Sequence, residues 1–504
     1  MKTIFFIRAI FLFSIAGVIL AGCKKIDELQ KNPNQSDQAT PALLLTNILQ
    51  NTHEDAFEGF DDFPGTQQQF MVCNEVYYMD QTYLWGSGNW GYYNTLRNVN
   101  RLEIETNKKS DELTPSYLAI AKFLKAYLFS KISLQAGDIP LSETMKASEG
   151  TFYPKYDNQK SVFLQCLNWL EEANSEMGAI LSQNGGASIE GDYFFGGSIA
   201  SWQRIVNSLQ LRLLINLSKK ESDGDLKIKE RFQSIISNPA KYPIVTENDQ
   251  NLQIVYNESL VSNYYPLYLD LDGSRYTARV LIGATWLDLL TSNKDPRTFI
   301  IASPAPSIAA DPNNPFANYK GAKTGDLQSY IQTQTVAGQY STLKRSYWIS
   351  KTGHPCIQVG ASETYFNIAE AINRGWISGD AAANYKNGIR RSMEFFGVSE
   401  TDVNVFLNQP SIAYKGNGSE GLQQILTQKY VAFFENSGWE AYYNYRRTGI
   451  PAWEVGIANE NKAIPKRFRY PTDEYTTNAA NVKSAVQSQF GGSDTRNDVM
   501  WIIE

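Results

Sequence analysis

The sequence predicts a mainly α-helical fold of tetratricopeptide-like helical pairs, an α-α superhelix, interrupted by a loop-rich variable insert. Three observations carry that expectation. Apolar residues recur three and four apart through two long blocks, about 40–220 and about 360–446. The helices so marked run roughly 15–20 residues and come in pairs, as in a helical solenoid, although no clean repeat of about 34 residues is present. From about 244 to about 355 the periodicity gives way to proline, glycine and short β-favouring runs.

The chain opens with Lys2 and Arg8, an apolar run from Ala9 to Leu20, and small residues at Ala21 and Gly22. This is the layout of a secretory signal. The run is too short for a bilayer span, which needs roughly 20 residues. Cys23 follows directly, so that Leu20-Ala21-Gly22-Cys23 resembles the bacterial lipobox, in which the signal is cut before a cysteine whose thiol carries lipid. A plain secretory signal with a chance cysteine is the competing reading. The expected plan is a lipoprotein signal peptide over 1–22, a lipidated tether over 23–39 with Cys23 as the lipid site, and a single domain over 40–504.

Within that domain Thr40-Pro41 and Thr114-Pro115 each place a capping residue before a proline that suits a first helical turn. The first start leads to Leu43, Leu44, Ile48 and Leu49. The second leads to Tyr117, Ile120, Leu124, Leu128 and Ile132, mostly on one face. Helical spacing continues over Lys155 to Leu181 and Ser198 to Lys219. It returns at Gly360–Arg374, Gly379–Phe396, Gly421–Asn436 and Gly438–Arg446. Leu252–Tyr256 favours a strand, and the stretch after Arg446 reads as loop.

Composition narrows the function classes. The formal charge of −6 becomes more negative once Lys2 and Arg8 leave with the signal, which argues against nucleic acid as a partner. After Cys23 only Cys73, Cys166 and Cys356 remain, with no CxxC pair, so buried thiols are expected rather than a disulfide framework. The two histidines, His53 and His354, do not make a structural zinc pattern. No metal site or cofactor is expected. Asp270-x-Asp272-Gly273 superficially resembles a calcium loop but lacks the third ligand and the distal glutamate of an EF-hand, which leaves a structural calcium as the minor alternative.

Aromatic residues make up 13% of the chain, and many stand in Gly/Asn/Ser-rich stretches where they cannot all be core. The densest runs from Tyr77 to Tyr93. Flat rings suit the apolar faces of sugars while neighbouring amides bond hydroxyls, so Trp85, Trp90, Tyr92 and Tyr93 are candidate ligand residues. Inward packing of half of them is the alternative, because Tyr92, Leu96 and Val99 share helical spacing. A second candidate group is Tyr264, Tyr265 and Tyr268 with Arg275, in the insert where a recognition loop can vary without disturbing the scaffold.

Several segments resemble the SusD/RagB family of nutrient-binding outer-membrane lipoproteins, in its SusD-like subgroup. They are Asp192-Tyr193-Phe194-Phe195-Gly196-Gly197 leading into Trp202-Gln203-Arg204-Ile205-Val206-Asn207-Ser208-Leu209-Gln210-Leu211-Arg212, then Gly137-Asp138-Ile139-Pro140-Leu141-Ser142-Glu143, Gln428-Lys429-Tyr430, Glu440 to Pro451, and Arg467-Phe468-Arg469-Tyr470-Pro471. Ile205-Val206 replaces the family's Phe-Ala, Tyr442 its Trp, and Asn444 its Asp, which places any ion pair of that Asp in doubt. These motifs read as scaffold: Trp202 and Leu209 share a helical stripe, and Arg446 and Arg447 close a helix whose carbonyl end favours cations.

The resemblance implies the helical fold above and a SusC-like, TonB-dependent transporter as partner, over which the lipoprotein acts as a hinged lid. It also implies the outer membrane, with the body facing the cell exterior. Lys24 lacks the aspartate of inner-membrane retention, and Asp27-Glu28 resembles a surface-export signal. The expected function is capture of an oligosaccharide and its delivery to that transporter. A peptide ligand, an anchored glycosidase using two carboxylates, and a structural partner that touches no substrate are the alternatives.

Overall fold

The computed structural model describes residues 39–53, 64–74, 83, 85–88, 90–184, 188–265, 268, 280–348, 350–457 and 459–504. Helix α1 (Pro41–His53) begins where the Thr-Pro signal places it, with Thr40 Oγ1 accepting the Leu43 N–H at 3.3 Å. Helix α2 (Tyr92–Lys109) buries Tyr92, Leu96, Val99, Leu102 and Thr106 along one stripe. Helix α3 (Thr114–Ala136) is buried on nearly every face, because both α2 and α4 (Gln159–Asn184) pack on it. Helix α5 (Ile199–Asn216) starts at Ser198, whose side chain caps the Ser201 N–H, and α6 (Ile228–Ser237) packs on it. Each helix of this block packs on the next in the chain, the nearest-neighbour stacking of a helical solenoid.

The insert is tied into the core at both ends. Strand β1 (Met71–Cys73) pairs antiparallel with β3 (Val280–Ile282), Met71 opposite Ile282, in a four-stranded sheet ordered β1-β3-β5-β4. Its other strands are β4 (Ala302–Ser303) and β5 (Thr342–Leu343). Strand β2 (Leu252–Ile254) pairs with β6 (Cys356–Val359), which joins the two ends of the insert. Helix α7 (Ala284–Ser292) buries Trp286 completely, its indole donating to the Val431 carbonyl at 3.3 Å.

The second helical block is α8 (Ala361–Asn373), α9 (Ala381–Phe395), α10 (Ser419–Ala432) and α11 (Glu440–Thr448). A further helix, α12 (Ala479–Phe490), lies in the stretch expected to be loop. It escapes the periodicity because only Val482, Ala485 and Val486 are buried on it. Among the described residues no helix is long and apolar enough to cross a membrane.

The blocks are joined by buried ion pairs. Arg212 of α5 donates to both carboxylate oxygens of Glu363 on α8 and, at 2.6 Å, to the Gln358 carbonyl. Arg447 of α11 pairs with Glu370 of α8. It therefore reaches into the core rather than to its own helix end. Asn444 makes no ion pair but accepts from Arg447 at 2.8 Å and Lys429 at 3.2 Å, so the amide serves the network as an acceptor. Opposing guanidinium and ammonium charges hold Glu370 down at about 2 despite its burial.

The Asp192 motif is likewise scaffold. Its carboxylate accepts the Phe194, Phe195 and Gly197 N–H groups and the indole of Trp202 at 2.8 Å. Gly197 (φ +86°) is required there, since a Cβ would sit 2.3 Å from the Ile189 carbonyl oxygen. Cys73, Cys166 and Cys356 are all buried thiols.

Candidate functional site

The site grows from the loop that leads into α2. Ser87 bridges in parallel to Arg469, and the Gly88 N–H donates to the Arg469 carbonyl at 2.7 Å. A Cβ on Gly88 would stand 3.1 Å from that oxygen, so glycine lets the two backbones meet. The aromatic residues on either side then diverge. Trp85 points inward and is 4% exposed, packed on Tyr442 (4.7 Å between ring centroids), Phe468 (5.5 Å) and Tyr83 (5.7 Å). The expectation that it faces a ligand is corrected: its indole is worth more filling the core between α11 and Phe468 than exposed. Trp90 stays half-buried, with Tyr93 at 5.3 Å, Tyr156 at 5.8 Å and Tyr470 at 6.0 Å around it. Tyr93 is fixed by donating its hydroxyl to the Pro140 carbonyl at 2.6 Å.

Two cavities meet at Trp90. The larger, about 610 Å³, has walls of Trp90, Tyr92, Trp439 and Phe468, with the amides of Gln67, Asn94 and Gln135 and the carboxylates of Asp473 and Glu474. The second, about 540 Å³, is lined by Trp90, Tyr93, Arg97, Met145 and Phe152 and again by Glu474. Trp90 and Glu474 thus stand where the two adjoin. Phe152 is 69% exposed and its neighbour Tyr153 68%, so apolar surface continues past the rim.

Such flat walls with scattered amides suit a polyhydroxylated ring: aromatic faces take its C–H surfaces and amides take its hydroxyls. Glu474 accepts the Tyr156 hydroxyl at 2.7 Å, and burial pushes its carboxyl above the usual range. The same burial, with the carboxylate beside it, drives the Tyr156 phenol strongly upward. Asp138, behind this wall, is raised to about 6 by burial against the Gln159 N–H that it accepts.

Of the sequence candidates, Trp90, Tyr92 and Tyr93 come together here, Tyr92 presenting only an edge since it is 5% exposed. The second group does not join them in these cavities. Tyr264 and Tyr268 are half-buried and meet each other at 5.7 Å, with Lys351 Nζ 5.3 Å from the Tyr264 ring. Tyr265 is buried at 2% exposure against Tyr256, which corrects its assignment as a ligand residue. Arg275, the Asp270-x-Asp272-Gly273 stretch and Cys23 lie outside the described residues. Among the described residues no group of His, Cys, Asp or Glu is arranged to hold a metal ion.

Sequence reasoning missed Trp439, Asp473, Glu474 and Phe152. Only Phe152 carried a readable signal, standing with Tyr153 between Gly150 and Pro154 where a turn exposes rings. The others reach the site through tertiary contacts.

Residues 33–471 match the SusD-like family described as starch-binding associating with outer membrane. The chain belongs to the SusD-like family. Among solved structures, a SusD homolog from Bacteroides fragilis is 31% identical, covering 92% of this chain and 100% of its own at a TM-score of 0.83. A second SusD homolog from Bacteroides fragilis is 29% identical over 93% of this chain and 100% of its own, at 0.80. A chitin-binding protein, 23% identical, shares the fold at a TM-score of 0.75 over 92% of this chain and 100% of its own. No curated protein matches the chain. SusD-like membership fixes the coarse function as nutrient binding in association with the outer membrane.

Proposed function

We propose that this SusD-like protein captures an oligosaccharide at the cell surface and delivers it to a SusC-like TonB-dependent transporter. The observation that carries the reading is the pair of aromatic-walled cavities meeting at Trp90, on a scaffold whose motif residues are occupied in packing. The family's starch-binding description and the chitin-binding relative support a glycan over other nutrients. Lipid on Cys23 would hold the protein beside its transporter, facing outward.

The protein acts as a binder rather than a hydrolase. Both carboxylates of the second cavity have other partners: Glu474 takes the Tyr156 hydroxyl, and Glu143 takes the Lys155 N–H at 2.9 Å.

The test is a binding titration of the mature protein against starch-, chitin- and cellulose-derived oligosaccharides, with Trp90→Ala beside wild type. Loss of a stacking ring predicts binding about tenfold weaker or more. Unchanged affinity removes Trp90 from the site, and new reducing ends during incubation sink the binder reading.

A further inference from the structure

The larger cavity has a charge balance that generic sugar binding does not require. Its described lining contains two carboxylates, Asp473 and Glu474, and no lysine or arginine. Among the described residues neither carboxylate forms an ion pair; Glu474 is met by the neutral hydroxyl of Tyr156.

Arg97 and Lys146 line only the adjoining cavity, which Glu474 also borders, and the other cations nearby are committed elsewhere. Arg467 is buried on Asp494, and Arg469 and Arg496 both face Glu460. Lys131 lies over the rings of Tyr92 and Tyr127, outside the lining. Half-buried Glu474 and exposed Asp473, neither in an ion pair among the described residues, sit beside the rings of Trp90, Trp439 and Phe468. Acid beside aromatic rings is the chemistry that recognises a compact ammonium, by charge-assisted hydrogen bonding and by cation–π attraction. It equally opposes uronate or sulfate groups, which would meet like charge.

We propose that this cavity selects saccharides bearing a protonated amine, 2-amino-2-deoxy sugars in particular, over their neutral and acidic counterparts. The inference rests on the oligosaccharide reading above and deepens it. A basic peptide offers the same ammonium, but exposed Asn94 and Ser87 supply hydrogen-bonding groups suited to ring hydroxyls, and these favour the sugar. The raised carboxyl of Glu474 agrees with a site that lacks its cation, since a bound ammonium would draw that proton off.

The experiment titrates the mature lipoprotein in detergent, at pH 6 and low salt, with four probes. They are a β-1,4 glucosamine tetramer, its N-acetylated counterpart, a neutral glucose tetramer and tetralysine. The glucosamine tetramer is expected to bind about tenfold more tightly than its acetylated form. That preference should shrink with added salt and fall to within about twofold in the D473N/E474Q double variant. Both replacements keep side-chain size, and an unchanged circular dichroism spectrum checks the fold. Equal affinity for amine and acetamide, or a preference that survives the double variant, overturns the proposal while leaving oligosaccharide capture standing. Tighter binding of tetralysine than of the glucosamine tetramer overturns the saccharide assignment. Binding to none of the three saccharides defeats the oligosaccharide reading itself, and this proposal with it.

Discussion

At the residue scale, burial decides which aromatic and titratable side chains are left for function. Trp85 and Trp90 stand five positions apart in one glycine-rich loop, yet one fills the core and the other lines both cavities. His354 shows the same rule in its ionisation. Its ring stacks on Phe396 at 5.3 Å and meets Phe395 edge-on at 4.6 Å, and burial lowers it from 6.5 to about 4. The unfolded chain therefore binds a proton near pH 6.5 that the folded chain refuses until about 4. Stability from this source is fully present above pH 6.5 and is lost as pH falls toward 4, by up to about 3 kcal/mol. Asp138, raised to about 6, works in the opposite sense over much of that range, so the isolated effect is read by difference. Urea unfolding of wild type and His354→Phe should converge at pH 7 and diverge at pH 4.5, with the variant the less acid-sensitive. Parallel pH profiles for the two proteins would remove His354 as the cause.

At the element scale, the family's motif residues cap and join helices. Asp192 gathers four donors at the entrance to α5, including the fully buried Trp202 indole. Asp192→Ala strands two buried donors, the Gly197 N–H and the Trp202 indole, at about 1–3 kcal/mol for each left unpaired. A loss of about 2–5 kcal/mol is expected in chemical denaturation, with ligand affinity unchanged at permissive temperature; a loss under 1 kcal/mol would show that water replaces the carboxylate. Helices such as α2, α3 and α5 were legible because their apolar residues repeat on a face or their starts are marked by Thr-Pro or Ser caps. Helix α12 was not, since its few buried residues touch Tyr470 and Ala136 only after the chain has folded back. The insert read as irregular because its strands are two to four residues long and take partners as distant as Met71. The site followed the same division. Trp90 and Tyr93 were visible as aromatics amid glycines, whereas Trp439, Asp473 and Glu474 carry no local pattern that distinguishes them from core or surface.

At the scale of the whole molecule, α2 separates the candidate site from the start of the described domain. Trp90, Tyr92 and Tyr93 stand at its N-terminal end, while Thr106 and Lys109 at its far end line a small cavity with Thr40, Pro41 and Ala42. Eighteen helical residues span about 27 Å, so the end of the tether and the site lie roughly that far apart. The residues from Cys23 to Ala39, fully extended, reach at most roughly 55–60 Å. On the proposed lipidation of Cys23, a leash of that length would set how far the body can travel from the membrane without touching the cavities. Anchoring and ligand recognition are therefore expected to separate cleanly. Cys23→Ala should abolish incorporation of labelled palmitate and shift the protein out of the outer-membrane fraction, while its affinity for the oligosaccharide stays within about twofold of the anchored form. Uptake should fall all the same if the proposed transporter partnership holds, because an untethered binder would be diluted away from that transporter and lose the high effective concentration that a short leash provides. Palmitate retained in the variant would place the lipid on another residue. Weakened binding by the unanchored protein would mean that the tether reaches the site at the other end of α2.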